Sequence, residues 1–303
     1  MIRAQTDFSS PEEIPACILR AEAGYRSALS AAADQILAQK NCRIIMLSGP
    51  TCAGKTTTGK ILTAALQQAG RRVTMISLDD FYLDRAVLLQ RAKERGGMID
   101  FDSPDTLDYD CLAGTMAEIL SGRPIHLPCF DFRTGTRAGE RLITPAEEDI
   151  YIIEGIQAVY PSVIDCVGND GARISVFATV MQRIEADGVE FSPEEIRFFR
   201  RLVRDSLFRG AEAAFTAHLW VSVRENEEKN LLPYGEECDV RIDTAFSYEL
   251  SALRHFLCPL IATLPDDTPQ ARLAKEKLPV LERIAGFDRA FLPSDSLYRE
   301  FLG

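Results

Sequence analysis

Long apolar runs, paired cysteines, clustered histidines and internal repeats are all scarce or missing in this 303-residue chain, and each shortage removes a class of protein. No apolar stretch approaches the ~20 residues that a membrane-spanning helix needs. The N-terminus "MIRAQTDFSSPEEIPA" has no positive segment leading into an apolar core, so no secretion signal is read there and a cytoplasmic location is expected. The eight cysteines stand at 17, 42, 52, 111, 129, 166, 238 and 258 with no C-x-x-C pair, the pattern of small reduced side chains rather than a disulfide frame or zinc site. His126, His218 and His255 are far apart in apolar or amphipathic surroundings, which suits core or surface roles and not a metal centre. The only tryptophan, Trp220, lies in "HLWVSV" (218–223), a run that reads as a core strand. Cations are the minority charge, 34 Lys and Arg against 45 Asp and Glu, for a net −11. That sign speaks against nucleic acid or an anionic membrane as partner, and makes any local basic cluster informative.

What is there is ordinary globular composition, 46% hydrophobic and 26% charged, enough to bury a sizeable core without staples. Residues 12–39 carry apolar and alanine positions at helical spacing, so residues 1–40 form a helical segment of one or two helices ahead of the main domain, 41–303. Apolar strand patterns follow at "CRIIMLS" (42–48), "RRVTMIS" (71–77), "DIYIIEG" (149–155) and "RISVFATV" (173–180), separated by helical stretches. Strands alternating with helices imply a mostly parallel sheet covered on both faces, a three-layer α/β fold.

The stretch "GPTCAGKTT" (49–57) meets G-x-x-x-x-G-K-[ST] at every fixed position, with a strand before it and a helix after it that closes on Gly70. Glycines let the backbone bend so that successive N–H groups face phosphate oxygens. Gly49, Thr51, Ala53, Gly54, Lys55, Thr56 and Thr57 are therefore the expected nucleotide-binding positions, with Lys55 on the terminal phosphates and the Thr56 hydroxyl on Mg²⁺. A phosphate loop does not say whether the phosphoryl group goes to water or to a substrate.

Acids at strand ends bear on that question. "MISLDDFY" sets Asp79 and Asp80 just past a strand, where a carboxylate takes a proton from an attacking hydroxyl or holds magnesium, or merely caps a turn. Glu154 ends "YIIE" in the Walker B placement beside a Mg²⁺ site. Farther on, "FSPEEIRFFRRLVRDSLFRG" opens a helix with Ser192 as N-cap, Pro193 at the first position and Glu195 at the third, and Gly210 closes it. Arg197, Arg200, Arg201 and Arg204 share one face at i, i+3, i+4 and i+7, a cationic surface suited to phosphate unless it pairs with Asp205, Glu194 or Glu195.

"GPTCAGKTT", "LDDFY", "FDSPDTLDYD", "PCFDFRTGTR", "IIEGIQAVY" and "RRLVRDSLFRG" occur in the order of the motifs of the phosphoribulokinase/uridine kinase family, which the chain resembles from about residue 42 to 260. The bacterial uridine or nucleoside kinase branch is the most similar, down to "EEKNLLPYGEECDVRIDTAFSYELSALR" and the ending "LPSDSLYREFLG". The resemblance implies a P-loop kinase using ATP and Mg²⁺ on a small acceptor, with an acceptor-site insertion at about 96–148, a lid at about 181–212 and room for a homo-oligomer. Asp79 then matches the catalytic carboxylate and a magnesium ligand, and Glu154 the second acid near the metal. Arg200, Arg204 and Arg209 match lid groups over ATP, Arg204 among the catalytic ones. Tyr82, Asp102, Phe130 and Arg137 match acceptor-binding positions, with Asp102 on ribose hydroxyls. The family's base-reading tyrosine and histidine are replaced by Phe130 and Gly135. The expected reaction is phosphorylation of a primary hydroxyl, the 5′-OH of uridine or cytidine first. A sugar or polyol acceptor, or a nucleotide-dependent switch with no acceptor, are the alternatives.

Overall fold

A computed structural model describes residues 1–39, 41–96, 99–168 and 172–303. The expected strands form around β2 (Cys42–Ser48), after a two-residue β1 (Ile2–Arg3) and a long α1 (Glu13–Ala38). The phosphate-loop segment leads into α2 (Lys55–Gln68), and β3 (Val73–Ser77) follows. Then come α3 (Arg85–Arg95), α4 (Tyr109–Ser121), the strands β4 (Ile125–Asp131) and β5 (Thr136–Ile143), β6 (Ile150–Glu154), α5 (Pro161–Val167) and β7 (Ala172–Thr179). The C-terminal half holds β8 (Ile184–Ala186), β9 (Val189–Phe191), α6 (Pro193–Arg209), α7 (Ala213–Asn226), a short α8 (Leu232–Gly235) and β10 (Val240–Asp243). Helices α9 (Glu249–Ala262), α10 (Pro269–Arg283) and α11 (Arg299–Leu302) close the chain.

Five parallel strands lie in the order β10-β7-β2-β6-β3, with β2 in the centre. The strands are apolar throughout because both faces are covered. On β2, Ile45 and Leu47 point into one core with α1, α2 and α9, and Ile44 and Met46 into another with α4 and α5. This is the three-layer α/β arrangement. No helix among the described residues is long and apolar enough to cross a membrane.

Residues 13–38 form one helix and not two. It buries Ile14, Cys17, Ile18, Tyr25, Leu29 and Ile36 in the same core as the sheet, so the N-terminal segment is part of the domain's body. Lys40 lies outside the described residues.

The strand expected at 218–223 is corrected: those residues sit inside α7. Ala213, Ala217, Trp220 and Val223 are its buried apolar positions, and this three-to-four-residue spacing overrides the β-branched look of the short run. Trp220 is in the core, as expected, but on a helix.

In the stretch 96–148 the chain makes α4 and then an antiparallel β4–β5 ribbon separate from the main sheet. Residues 97 and 98 of that stretch lie outside the described residues. In the stretch 181–212, β8 pairs with β1 on one side and with β9 on the other before α6 begins. Helix α6 carries the expected capping box, Ser192 Oγ accepting from the Glu195 N–H and Glu195 from the Ser192 N–H, and ends at Gly210 in the left-handed conformation.

Candidate active site

The parallel register brings three strand tips together. Glu154, last in β6, lies opposite Leu47 of β2 on one side and Ser77 of β3 on the other. The chain leaves β2 into the loop 49–54, where two glycines are required by contact. A Cβ on Gly49 would lie 2.0 Å from the Ala178 carbonyl oxygen, and one on Gly54, at φ +84°, would lie 2.4 Å from Leu297. Gly54, the N-cap of α2, offers no side chain to the first-turn N–H groups of Lys55, Thr56 and Thr57, and the Thr57 N–H finds a remote acceptor in Glu300. Lys55 Nζ reaches back to donate to the Pro50 carbonyl at 3.0 Å. Thr51 and Ala53 are buried, and Thr56 is half-buried.

Two fully buried ion pairs hold the outer side of this loop. Arg197 forks onto Glu227 at 2.7 and 2.8 Å and also donates to the Thr51 carbonyl. The Thr51 N–H in turn donates to Glu227. Arg200 forks onto Glu249 and donates to the Cys52 carbonyl at 3.2 Å and to Thr244, with the rings of Tyr298 and Phe301 against its guanidinium. Burial alone would raise Glu227, but the Arg197 and Arg224 guanidiniums outweigh it and hold that carboxyl below its ordinary value. Arg200 has no exposure at all. The structure thus places it behind the loop, bracing Cys52 in its left-handed conformation (φ 57°), and not on the phosphate side where the sequence expectation had it.

The other arginines of α6 converge on one acid. Asp205 accepts from Arg201 Nε at 3.3 Å and from Arg204 at 2.8 and 3.0 Å, and pairs with Arg209 at 3.4 Å. Three cations on one carboxylate leave positive charge uncompensated. Partial burial, then repulsion from Arg204, loosens the proton on Arg209. A cluster in that state accepts an anion.

Asp79 and Asp80 part company. Asp80 accepts from the Phe130 N–H at 3.1 Å and so anchors β4, whereas Asp79 stays in the cleft after a turn in which its own N–H donates to Ser77 Oγ. Burial raises the Asp79 carboxyl, while Lys55 and Tyr82 pull it back. Glu154 is pushed up to about 7 by burial, against Lys55, with Asp79 adding repulsion. Asp79, Glu154 and Lys55 therefore share one electrostatic neighbourhood.

Asp102 sits on the turn before α4. Four side chains pin the backbone beside it. Tyr82 and Gln157 donate to the Phe101 carbonyl at 3.0 and 2.9 Å, and Tyr160 and Asn226 each donate to the Asp102 carbonyl at 3.1 Å. The turn itself is capped by Ser103, which accepts from the Asp105 N–H, so the Asp102 carboxylate is not consumed as a cap. Burial lifts that carboxyl from an ordinary 3.8 to about 6, with Asp100 adding to the rise and Arg201 opposing it. Around it, Tyr82 packs edge-on against Phe101, Phe130 and Phe132 with centroids 5.7 to 6.0 Å away. Arg137 pairs with Asp108 at 2.7 Å, leaving its buried Nε without a hydrogen-bond partner. Gly135 turns the ribbon at φ +73°, and a Cβ there would lie 2.6 Å from Arg85.

Residues 44–249 match the phosphoribulokinase / uridine kinase family. The chain belongs to that family. A uridine kinase of Halobacterium salinarum is 27% identical over 199 residues, covering 65% of this chain and 78% of that protein. Uridine-cytidine kinase 2-B of Danio rerio is 29% identical over 205 residues, 66% of this chain and 72% of its own. Among solved structures, phosphoribulokinase from Rhodobacter spheroides is 16% identical with a TM-score of 0.45, covering 67% of this chain and 70% of that one. The chain is an ATP-dependent phosphotransferase, and kinases of its family use ATP with Mg²⁺ in general.

The site of this kinase suits both. A loop whose glycines tolerate no Cβ, leading into helical N–H groups of which that of Thr57 is held by Glu300, suits a phosphate. Crowded, desolvated carboxyls at Asp79 and Glu154 are relieved by a divalent cation. Among the described residues no group of three or more His, Cys, Asp or Glu side chains could hold a metal alone. A metal ion in this cleft would therefore need ligands beyond such side chains, such as phosphate oxygens.

Several site residues escaped the sequence reading. Gln157, inside "IIEGIQAVY", and Glu227 and Glu249, inside the long C-terminal motif, were in plain view as parts of motifs, yet their partners lie far away in sequence. Glu300, in the terminal "LPSDSLYREFLG", reaches the start of α2.

Proposed function

We propose that this kinase transfers the γ-phosphoryl group of ATP to the primary hydroxyl of a nucleoside, uridine or cytidine first. One observation carries the reading: two desolvated carboxylates, Asp79 beside Lys55 and Asp102 on its pinned turn, flank Tyr82, whose ring is packed among three phenylalanines. Such a cleft offers a proton acceptor at the phosphate end, a hydroxyl-binding acid at the other, and flat apolar surface between them.

In this reading Asp79 accepts the proton of the attacking hydroxyl and Asp102 orients the ribose through its remaining hydroxyls. The loop N–H groups and Lys55 hold the phosphates, while Arg204 and Arg209 neutralise charge that grows on the transferring group. Thr56, Asp79 and Glu154 would hold magnesium, which would supply neutralisation of the phosphate charge. Phe130, Phe101 and Phe132 stack on or border the base, and Arg137, held by Asp108, borders the acceptor.

A second reading, a sugar or polyol acceptor in the same cleft, is favoured by Gly135. That position leaves no space for an edge-reading side chain, and a site without donors and acceptors rejects related molecules poorly. The deciding experiment is Mg·ATP turnover to ADP with uridine, cytidine, other nucleosides, sugars and polyols. Stimulation confined to uridine and cytidine is the expected result. Stimulation by a non-nucleoside alone would transfer the site to the second reading.

A further inference from the structure

The C-terminal end of the chain touches the phosphate loop. Leu297, Tyr298, Phe301 and Leu302 are buried, Leu297 against Gly54 and Tyr298 and Phe301 against the Arg200 guanidinium. From this anchored turn Glu300 extends to the start of α2, where its Oε2 accepts from Thr57 Oγ1 at 3.0 Å and from the Thr57 N–H at 3.3 Å.

Thr57 is the third residue of α2, and its N–H is one of the first-turn donors that have no partner within the helix. In a loop of this spacing those N–H groups cradle the inner phosphates of a nucleotide. A carboxylate and a phosphate oxygen compete for the same two donors, and like charge keeps them apart. Glu300 is also felt by Glu154, which it pushes up, and by Arg204, whose proton it helps to hold. It therefore stands between the acidic and the cationic walls of the site. The packing of α11 does not depend on its charge, because the anchors are the four apolar and aromatic neighbours in the same segment.

We propose that Glu300 sets nucleotide affinity: its carboxylate fills the phosphate subsite at Thr57 in the free kinase and must turn away as a nucleotide's inner phosphate arrives. The terminal segment is then a built-in competitor for nucleotide, which weakens binding of ADP and ATP alike. This rests on the phosphate-loop reading above.

Titration calorimetry of the full chain with Mg·ADP tests it, comparing wild type with Glu300→Gln and Glu300→Asp. The glutamine variant keeps the shape but removes the charge. It is expected to bind ADP roughly tenfold more tightly, the scale of a charge-assisted hydrogen bond that no longer has to be broken. The aspartate variant, shorter but still charged, should fall between the two. In thermal melts Glu300→Gln should start slightly lower than wild type and gain more on adding ADP. Unchanged or weaker ADP binding by a folded Glu300→Gln protein overturns the inference, the weaker case assigning Glu300 to holding the nucleotide instead. Failure of the wild-type protein to bind ADP would instead remove the phosphate-loop reading itself.

Discussion

Asp102 faces surroundings that work against the charge its proposed role requires. Its carboxyl titrates at about 6, raised by burial and by Asp100, with Glu227 adding repulsion and Arg201 and Lys55 opposing. In an unfolded chain the same group titrates near 3.8. The folded state thus holds the proton more tightly, and this group's contribution to stability is fully present below about pH 4 and lost as pH rises through 6. At neutral pH the ionised form costs about 1–2 kcal/mol, a discounted share of what the full shift would imply. Asp102→Asn should therefore stabilise the free kinase at pH 7 by that amount in urea unfolding. It should also raise KM for the acceptor about tenfold or more, since charged hydrogen bonds are lost. In the wild type, KM should climb as pH falls below 6, and the asparagine variant should lack that climb. At the phosphate end, Lys55→Ala should fold normally and lose turnover, and near-wild-type activity would sink the mechanism. Residues of this kind were legible because their meaning lies in contiguous spacing: a loop, an acid past a strand, a capping box. Arg200 was not, because its partner Glu249 lies 49 positions away and only the packed helix reveals that its charge is already spent.

Helix α6 divides its arginines by depth. Arg197 and Arg200 face inward and grip the carbonyls of Thr51 and Cys52, while Arg201, Arg204 and Arg209 gather on Asp205. Periodicity alone put Arg197, Arg200, Arg201 and Arg204 on one face and could not separate the two groups, since both readings need the same spacing. Substitution separates them. Arg200→Ala strands Glu249 in the core and should cost about 3–5 kcal/mol in urea unfolding. Arg204→Ala leaves Asp205 with two arginines, so stability should change by no more than about 1 kcal/mol. Its turnover should nonetheless fall by on the order of a hundredfold, as for other lost transition-state contacts. Equal stability losses in the two variants would contradict the division. Helix α7 shows the opposite difficulty. Six residues of apolar, β-branched sequence imitate a strand, and the helical spacing from Ala213 to Val223 emerges only over a longer window.

Across the whole molecule, the two ends of the chain meet over the middle. Glu22 on α1 is almost fully buried, and its carboxylate accepts from Tyr248 at 2.7 Å, Ser296 at 2.5 Å and Arg26 at 3.1 Å. Arg26 continues to Asp295, and Tyr25 meets the Thr58 hydroxyl of α2 at 2.8 Å. The N-terminal helix, the start of α9, the terminal segment and the phosphate-loop helix are consequently one polar-stitched unit within one apolar core. Sequence could mark residues 12–39 as helical, but not where they dock, because each of these partners is remote along the chain. Glu22→Ala takes the buried acceptor from the Tyr248 and Ser296 hydroxyls and should cost about 2–4 kcal/mol. A chain of packed neighbours without a separable N-terminal part should still unfold in a single transition, with the denaturant slope of the wild type. A second transition, in which α1 melts ahead of the sheet, would show that residues 1–40 are a distinct body. Since Glu22 also holds Ser296, four positions before Glu300, its loss should loosen the terminal segment from Thr57. Glu22→Ala should then tighten Mg·ADP binding in the same direction as Glu300→Gln, although by less, and an Ala variant with weakened ADP binding would break that link.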